Sequence, residues 1–247
     1  MNETLDLAKL LEKVIIEEQK KEQHPLIIGV YHPSLLPQCL RKQAYEYNEQ
    51  RPYEEYVQRV LFNGKILHDA FAVLLKNVAQ TINATIESEV PLRIVHPEYR
   101  FVISGRADDV FLLKEEEREI IIEIKTTINV LEQAEKGYIP KEWHIDQLNA
   151  YLSAYPGAEG LLIYIDRNNL TCKQYPVTFS EKRLLAMFER AKMLHEWLTK
   201  GTLPPPEAKN DPKNAWQCKT CPYEKECTLN LTLKNNPNPT LKNSLEA

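Results

Sequence analysis

Gly105-Arg106-Ala107-Asp108-Asp109-Val110 and Ile120-Ile121-Ile122-Glu123-Ile124-Lys125 are two apolar segments separated by the charged stretch Lys114-Glu115-Glu116-Glu117. This pattern predicts a β-hairpin whose turn falls in the charged stretch. Side chains alternate along a strand, which places Ile120, Ile122 and Ile124 on one face and Glu123 and Lys125 on the other. With the turn centred on Glu115-Glu116, Asp108 lies directly across from Glu123 and projects to the same face. An unpaired charge in such a run is costly to bury, so these groups must face a partner, a metal ion or water. The plain reading is an edge hairpin with a cross-strand salt bridge. The sharper one is a divalent-metal site with an ammonium beside it, a combination suited to hydrolysing a phosphodiester.

Working outward, Leu5 to Lys21 carries leucines at helical spacing, and His24-Pro25 ends that helix. A short strand, Leu26 to Tyr31, precedes Pro33-Ser34, where Ser34 is placed to cap a helix bearing Cys39. Tyr53 to Val78 is a long helical pattern in which Gly64 and His68 share a face. Thr85 to Val95 alternates as the first full strand before the hairpin. Lys141 to Tyr155 is helical, with Gln147 and Tyr151 four apart and projecting together. Gly160 to Asp166 and Thr171 to Val177 are two further strands, and Ser180 opens a last helix running to about Lys200. Gly201 to Pro212 is proline-rich and linker-like. The order of elements predicts an α/β fold with a mixed sheet flanked by helices.

Five cysteines in a chain without secretory features point to metal or redox chemistry rather than to disulfides. Cys218, Cys221 and Cys227 form a tight trio that needs a fourth ligand. Cys172 lies in a strand pattern and reads as a small buried apolar residue. Cys39, beside Arg41 and Lys42, is the better fourth member and would clasp the two ends of the chain together. Four thiolates suit zinc or an iron–sulfur cluster equally on spacing alone.

Composition excludes less. Apolar residues make up 43% and charged residues 27%, ordinary for a globular protein, and seven glycines include no phosphate-cradling loop. No apolar run spans a bilayer, and the acidic and basic residues of Met1 to Lys21 are unlike a signal peptide, so a cytoplasmic location is expected. The net charge of −4 leaves nucleic-acid binding to local patches. Arg41, Lys42, Arg51, Arg59, Lys65, Arg106 and Lys141 are candidates to line a DNA path, with Trp143, Tyr45 and Tyr47 available to stack on bases.

The order Cys39, Gly64-x3-His68, Gly105-x2-Asp108, Glu123-Ile124-Lys125, Gln147-x3-Tyr151, then Cys218, Cys221 and Cys227, resembles the RecB-like PD-(D/E)xK nucleases that carry a four-cysteine cluster. Within them it is most similar to the CRISPR-associated Cas-four exonuclease family. The resemblance covers Tyr31 to Cys227. It implies a restriction-endonuclease-like nuclease domain over residues 1–200 with an N-terminal helical region. A Cys-rich segment, 201–230, would pack back on Cys39; independently of the resemblance, the asparagines and prolines beyond Asn230 suggest a disordered tail over 231–247. The resemblance also implies a [4Fe-4S] cluster on Cys39, Cys218, Cys221 and Cys227, and a Mn²⁺ or Mg²⁺ centre on His68, Asp108, Glu123 and the carbonyl of Ile124. Lys125 would position water or offset developing charge, with Gln147 and Tyr151 orienting it. The second motif here reads Asp108-Asp109, and the glycine spacing favours Asp108 as the ligand. The activity implied is exonucleolytic cleavage of single-stranded or end-frayed DNA during CRISPR spacer acquisition, alongside the integrase, in antiviral defence. A free-standing repair nuclease and a non-catalytic cluster-bearing adaptor are the alternatives.

Overall fold

The computed structural model describes residues 5–22 and 24–229. The tail expected to be disordered lies outside these. The chain builds a six-stranded mixed sheet from β1 (Val30–Tyr31), β2 (Ala84–Val95), β3 (Val102–Leu113), β4 (Arg118–Thr127), β5 (Glu159–Asp166) and β6 (Cys172–Val177). The hairpin is β3–β4, with Asp109 opposite Ile122 and Leu113 opposite Arg118. β4 and β5 run parallel, and β6 closes antiparallel on β5.

β3 organises the sheet. Its whole length pairs with β2 on one edge. On the other edge it pairs with β1 at Val102 and Ile103, and with β4 only from Asp109 onward. Between those partners, residues 104–108 are left without a ladder. His32 Nδ1 fills one end, 2.9 Å from the carbonyl of Ser104. Tyr151 covers the middle, because a Cβ on Gly105 would stand 2.7 Å from its ring. β4 swings away towards β5 here, so the sheet forks.

Helices cover both faces. α1 (Leu7–Lys21) starts at Asp6, whose carboxylate accepts from Lys9 N–H at 3.0 Å. It lies along α3 (Glu55–Thr81), leaving Leu7, Leu10 and Leu11 exposed. α3 packs Phe71, Leu75 and Ala79 on Phe111, Ile122, Ile124 and Ile165. The opposite face carries α4 (Val130–Glu135) and α5 (Glu142–Leu152), with Leu148, Tyr151 and Leu152 on Ala107, Ile121 and Leu162. The isoleucines of β4 therefore alternate between the two helical layers, as a strand buried on both sides must. α2 (Leu40–Asn48) and α6 (Glu181–Thr199) enclose a third core around Tyr31, Leu40, Phe101 and Leu194.

Several expectations are corrected. The strand at Leu26 to Tyr31 shrinks to Val30–Tyr31, since only these residues find a partner on β3. Ser34 caps nothing; the chain turns through 33–38, and Cys39 is the N-cap of α2. The proline-rich linker is anchored. Pro204 accepts from Arg41 Nε at 2.6 Å, and Glu207, opening α7 (Glu207–Asn210), accepts from Leu40 N–H at 2.9 Å. Beyond it come a 3-10 turn, Ala215–Thr220, and α8 (Glu224–Thr228). Cys172 is exposed, because β6 is an edge strand with most side chains in solvent.

Candidate metal centre and cysteine pocket

The fork gathers the polar side chains. Because the β3–β4 ladder stops at Asp109, Asp108 does not sit in a regular pair with Glu123. Its carboxylate instead takes the place of a strand partner, accepting from Ile124 N–H at 2.7 Å. The N–H and C=O of one residue point to the same strand edge, so the Ile124 carbonyl also opens into the fork. Asp109 turns the other way. It is fully buried and accepts from Ser88 Oγ at 2.6 Å, and burial pushes its carboxyl up to about 6.

α3 crosses β4 at Gly64, where an added Cβ would meet Thr126 Oγ1 at 3.5 Å, an ordinary contact with a side chain rather than a backbone. One turn on, His68 Nε2 stands 3.0 Å from Asp108 Oδ2, but the two are not aligned as a hydrogen bond. The nearby carboxylate raises the His68 pKa against the opposing effect of burial. Two lone-pair donors that converge without bonding suit a shared cation. Glu89 joins them: one ligand atom each from His68, Glu89 and Asp108 lie within 4.8 Å of one another. Nothing in the sequence signalled Glu89. It belongs to an alternating strand, yet a positive φ of 59° turns it out of the β2–β3 ladder, and it pairs with Arg106.

Glu123 is buried, and its Oε1 accepts from Lys125 Nζ at 2.5 Å and from Gln147 Nε2 at 2.7 Å. Its Oε2 is buried with no hydrogen-bond partner. Burial first, then the Asp108 charge, hold this carboxyl well above the usual carboxylate range, against the pull of Lys125. Lys125 also donates to Gln147 Oε1 at 3.0 Å, and Gln147 Nε2 donates to Tyr151 Oη at 3.0 Å. Burial works against its charged form, but Glu123 and Asp108 more than offset that, and its pKa rises. His68, Glu89 and Asp108 are a donor set for a hard divalent ion, whereas Glu123, the other expected ligand, lies outside that close group with its Oε2 orphaned and desolvated.

The second site is formed by Cys39, at the N-cap of α2, and the cysteines of the C-terminal segment. Cys39, Cys218, Cys221 and Cys227 line one pocket with Lys42, Tyr45 and Lys209. Cys39 N–H donates to Gln217 Oε1 at 3.0 Å, and Tyr45 stacks on buried Tyr223 with ring centroids 5.2 Å apart. Tyr223 Oη donates to the Glu49 carbonyl at 2.6 Å and accepts from Arg51 N–H at 3.0 Å. Burial raises the thiols of Cys218 and Cys221, the latter to about 11. Tyr45 and Tyr47 are buried and cannot stack on bases. Most of the candidate DNA-path cations are engaged within the fold: Lys42 with Glu46, Arg51 with Glu226, Arg59 with Glu55 and Lys65 with Asp69.

The sequence pattern of the PD-(D/E)XK nuclease superfamily matches residues 24–228. The CRISPR-associated exonuclease Cas4 of Saccharolobus solfataricus is 28% identical over 199 residues, covering 80% of this chain and 86% of that protein. The crystal structure of SSO0001 superposes with a TM-score of 0.58 at 25% identity, covering 91% of this chain and 98% of that one. With the forked sheet and its acidic centre, these matches show that the chain belongs to the PD-(D/E)XK nuclease superfamily, and within it the chain is similar to the CRISPR-associated exonuclease Cas4.

Proposed function

We propose that the chain is a divalent-metal-dependent exonuclease that trims single-stranded or end-frayed DNA, working in spacer acquisition beside the CRISPR integrase. The observation that carries this reading is the convergence of His68, Glu89 and Asp108 within 4.8 Å of one another, with the buried, unpartnered Glu123 Oε2 on the adjoining strand. His68, Asp108, Glu123 and the Ile124 carbonyl would hold Mn²⁺ or Mg²⁺, with Glu89 available to reach the same ion or its waters. When bound, such an ion polarises the scissile phosphate and lowers the pKa of a coordinated water. The remaining work belongs to the chain. Lys125 presents its ammonium where negative charge develops on the phosphate. Gln147 fixes that ammonium and the Glu123 carboxylate together, and Tyr151 fixes Gln147.

For the cysteine pocket we propose a [4Fe-4S] cluster. A tetrahedral zinc with Zn–S near 2.3 Å draws its sulfurs to about 3.8 Å of one another. Cys39, Cys218, Cys221 and Cys227 line one pocket, a set of four thiols of the kind that holds either zinc or an iron–sulfur cluster. Anaerobically purified protein is expected to be brown; a colourless preparation with stoichiometric zinc rejects this assignment.

The activity is tested on end-labelled single strands with Mn²⁺, with chelator, and with Lys125→Ala. Cleavage is expected to stop with chelator and to fall about 10²–10⁴-fold in the variant. The substitution spares the fold, since Glu123 Oε1 keeps its bond from Gln147. Wild-type rates in both Lys125→Ala and Glu123→Ala reject the reading.

A further inference from the structure

The N-terminal turn of α5 does something the metal centre does not use. Trp143 lies four residues before Gln147, hence on the same helix face and about one turn, ~5.4 Å, along the axis from the group that holds Glu123 and Lys125. Its ring stacks on Trp216, with centroids 5.3 Å apart and planes at 30°. Trp216 comes from the 3-10 turn that also carries Cys218, and the next residue, Gln217, is the one bound by Cys39 N–H. The pair thus joins the catalytic helix to the cysteine pocket.

The stack is not closed off as a core would be. Trp216 remains 44% exposed and Tyr138 57% exposed. Lys141 lies between Tyr138 and the half-buried Trp143, its ammonium 5.8 Å from the Tyr138 ring centre and 5.7 Å from that of Trp143. Among the described residues no carboxylate lies within 4.0 Å of it. The base of this surface is rigid, because Tyr164 Oη accepts from Lys141 N–H at 2.9 Å and lies 2.7 Å from His144 Nδ1. Burial lowers the His144 pKa, helped by Lys125 and Lys141, so the imidazole stays neutral and adds no charge of its own. Exposed rings with a cation beside them match one ligand chemistry: unpaired bases that stack and a phosphate that meets the ammonium, with no reading of sequence.

We infer that Tyr138, Lys141, Trp143 and Trp216 form a stacking platform that grips a single nucleic-acid strand beside the metal centre, and that the platform exists only while the cysteine segment is docked. This rests on the nuclease reading for its choice of strand. It adds that the cysteine pocket governs the grip on substrate, through Trp216, without touching the chemistry. Lys141, Trp143 and Trp216 are positioning residues.

The test measures binding of a labelled oligo-dT strand to the intact chain in chelator, where no cleavage occurs, by anisotropy and by tryptophan quenching. Trp143→Ala and Trp216→Ala are expected to weaken binding about 5- to 150-fold, the range of one stacked base. In Mn²⁺ they raise KM while kcat at saturating DNA is retained. Lys141→Ala, on a half-buried cation with no ion pair among the described residues, keeps the melting temperature and reduces the slope of log Kd against log salt by about 0.7. Trp216→Phe keeps the seat of the cysteine segment and recovers part of the affinity. Unchanged affinity and salt slope in all four variants overturn the inference and mark the stack as packing alone. If the parent chain quenches with oligo-dT through Trp216 yet cleaves nothing, the platform stands and the catalytic reading falls.

Discussion

At the fork, Asp108 reaches Ile124 across 16 residues of chain and Gln147 reaches Glu123 across 24. At the cysteine pocket, Cys39 reaches Gln217 across 178 residues and Leu40 reaches Glu207 across 167. Both are polar clusters set into packed surroundings, but one is closed by short loops and the other by nearly the whole chain. Loop-closure entropy rises with length, so the pocket is the more costly of the two to close. The same cost means that a group bridging the four thiols stabilises the chain most at the pocket.

That contrast can be broken most forcefully at the thiols. Cys221→Ser is expected to cost about 2–4 kcal/mol, the scale of a lost long-range crosslink. Amide exchange should accelerate over 207–228 while β3 and β4 stay protected; equal acceleration at both regions would remove the distinction. A smaller effect is expected at the fork from Gly105→Ala. The new Cβ would stand 2.7 Å from Tyr151 Cε1 and 3.2 Å from Pro33 Cδ, so about 1–3 kcal/mol should be lost in a urea melt. Displacing Tyr151 also releases Gln147, and cleavage should fall with stability; a variant as stable and active as its parent would show that the gap has slack. The smallest effect belongs to Arg118, 45% exposed, whose guanidinium reaches both Glu159 oxygens at 2.8 Å. Arg118→Ala should cost less than about 1 kcal/mol. A larger loss in denaturant titration would mean that the hairpin end, and not the fork, sets the register.

The fork was largely legible from residues because its parts follow simple periods. Alternation gave the two faces of β4, and helical spacing joined Gln147 to Tyr151 and Gly64 to His68. What escaped was conformation at single residues. Glu89 is indistinguishable from any exposed strand glutamate until its positive φ turns it towards His68. The tyrosines of α2 read as available rings, yet Tyr45 lies under Tyr223 and Tyr47 bonds the Val30 carbonyl at 2.6 Å. Those partners are distant in sequence, and composition carries no trace of them. The proline-rich 201–212 stretch misled for the same reason, since its anchors are contacts with Leu40 and Arg41 of α2 and Arg190 of α6.

The gap in β3 also bears on association between molecules. A bare strand edge invites a foreign strand, and proline is one of the devices that prevents it. The two outer strands, β2 and β6, each carry one, Pro91 and Pro176. The interior opening at 104–108 has no proline and needs none: β1 and β4 stand at its ends and Tyr151 and His32 lie across it, so no intruding chain has room to align there.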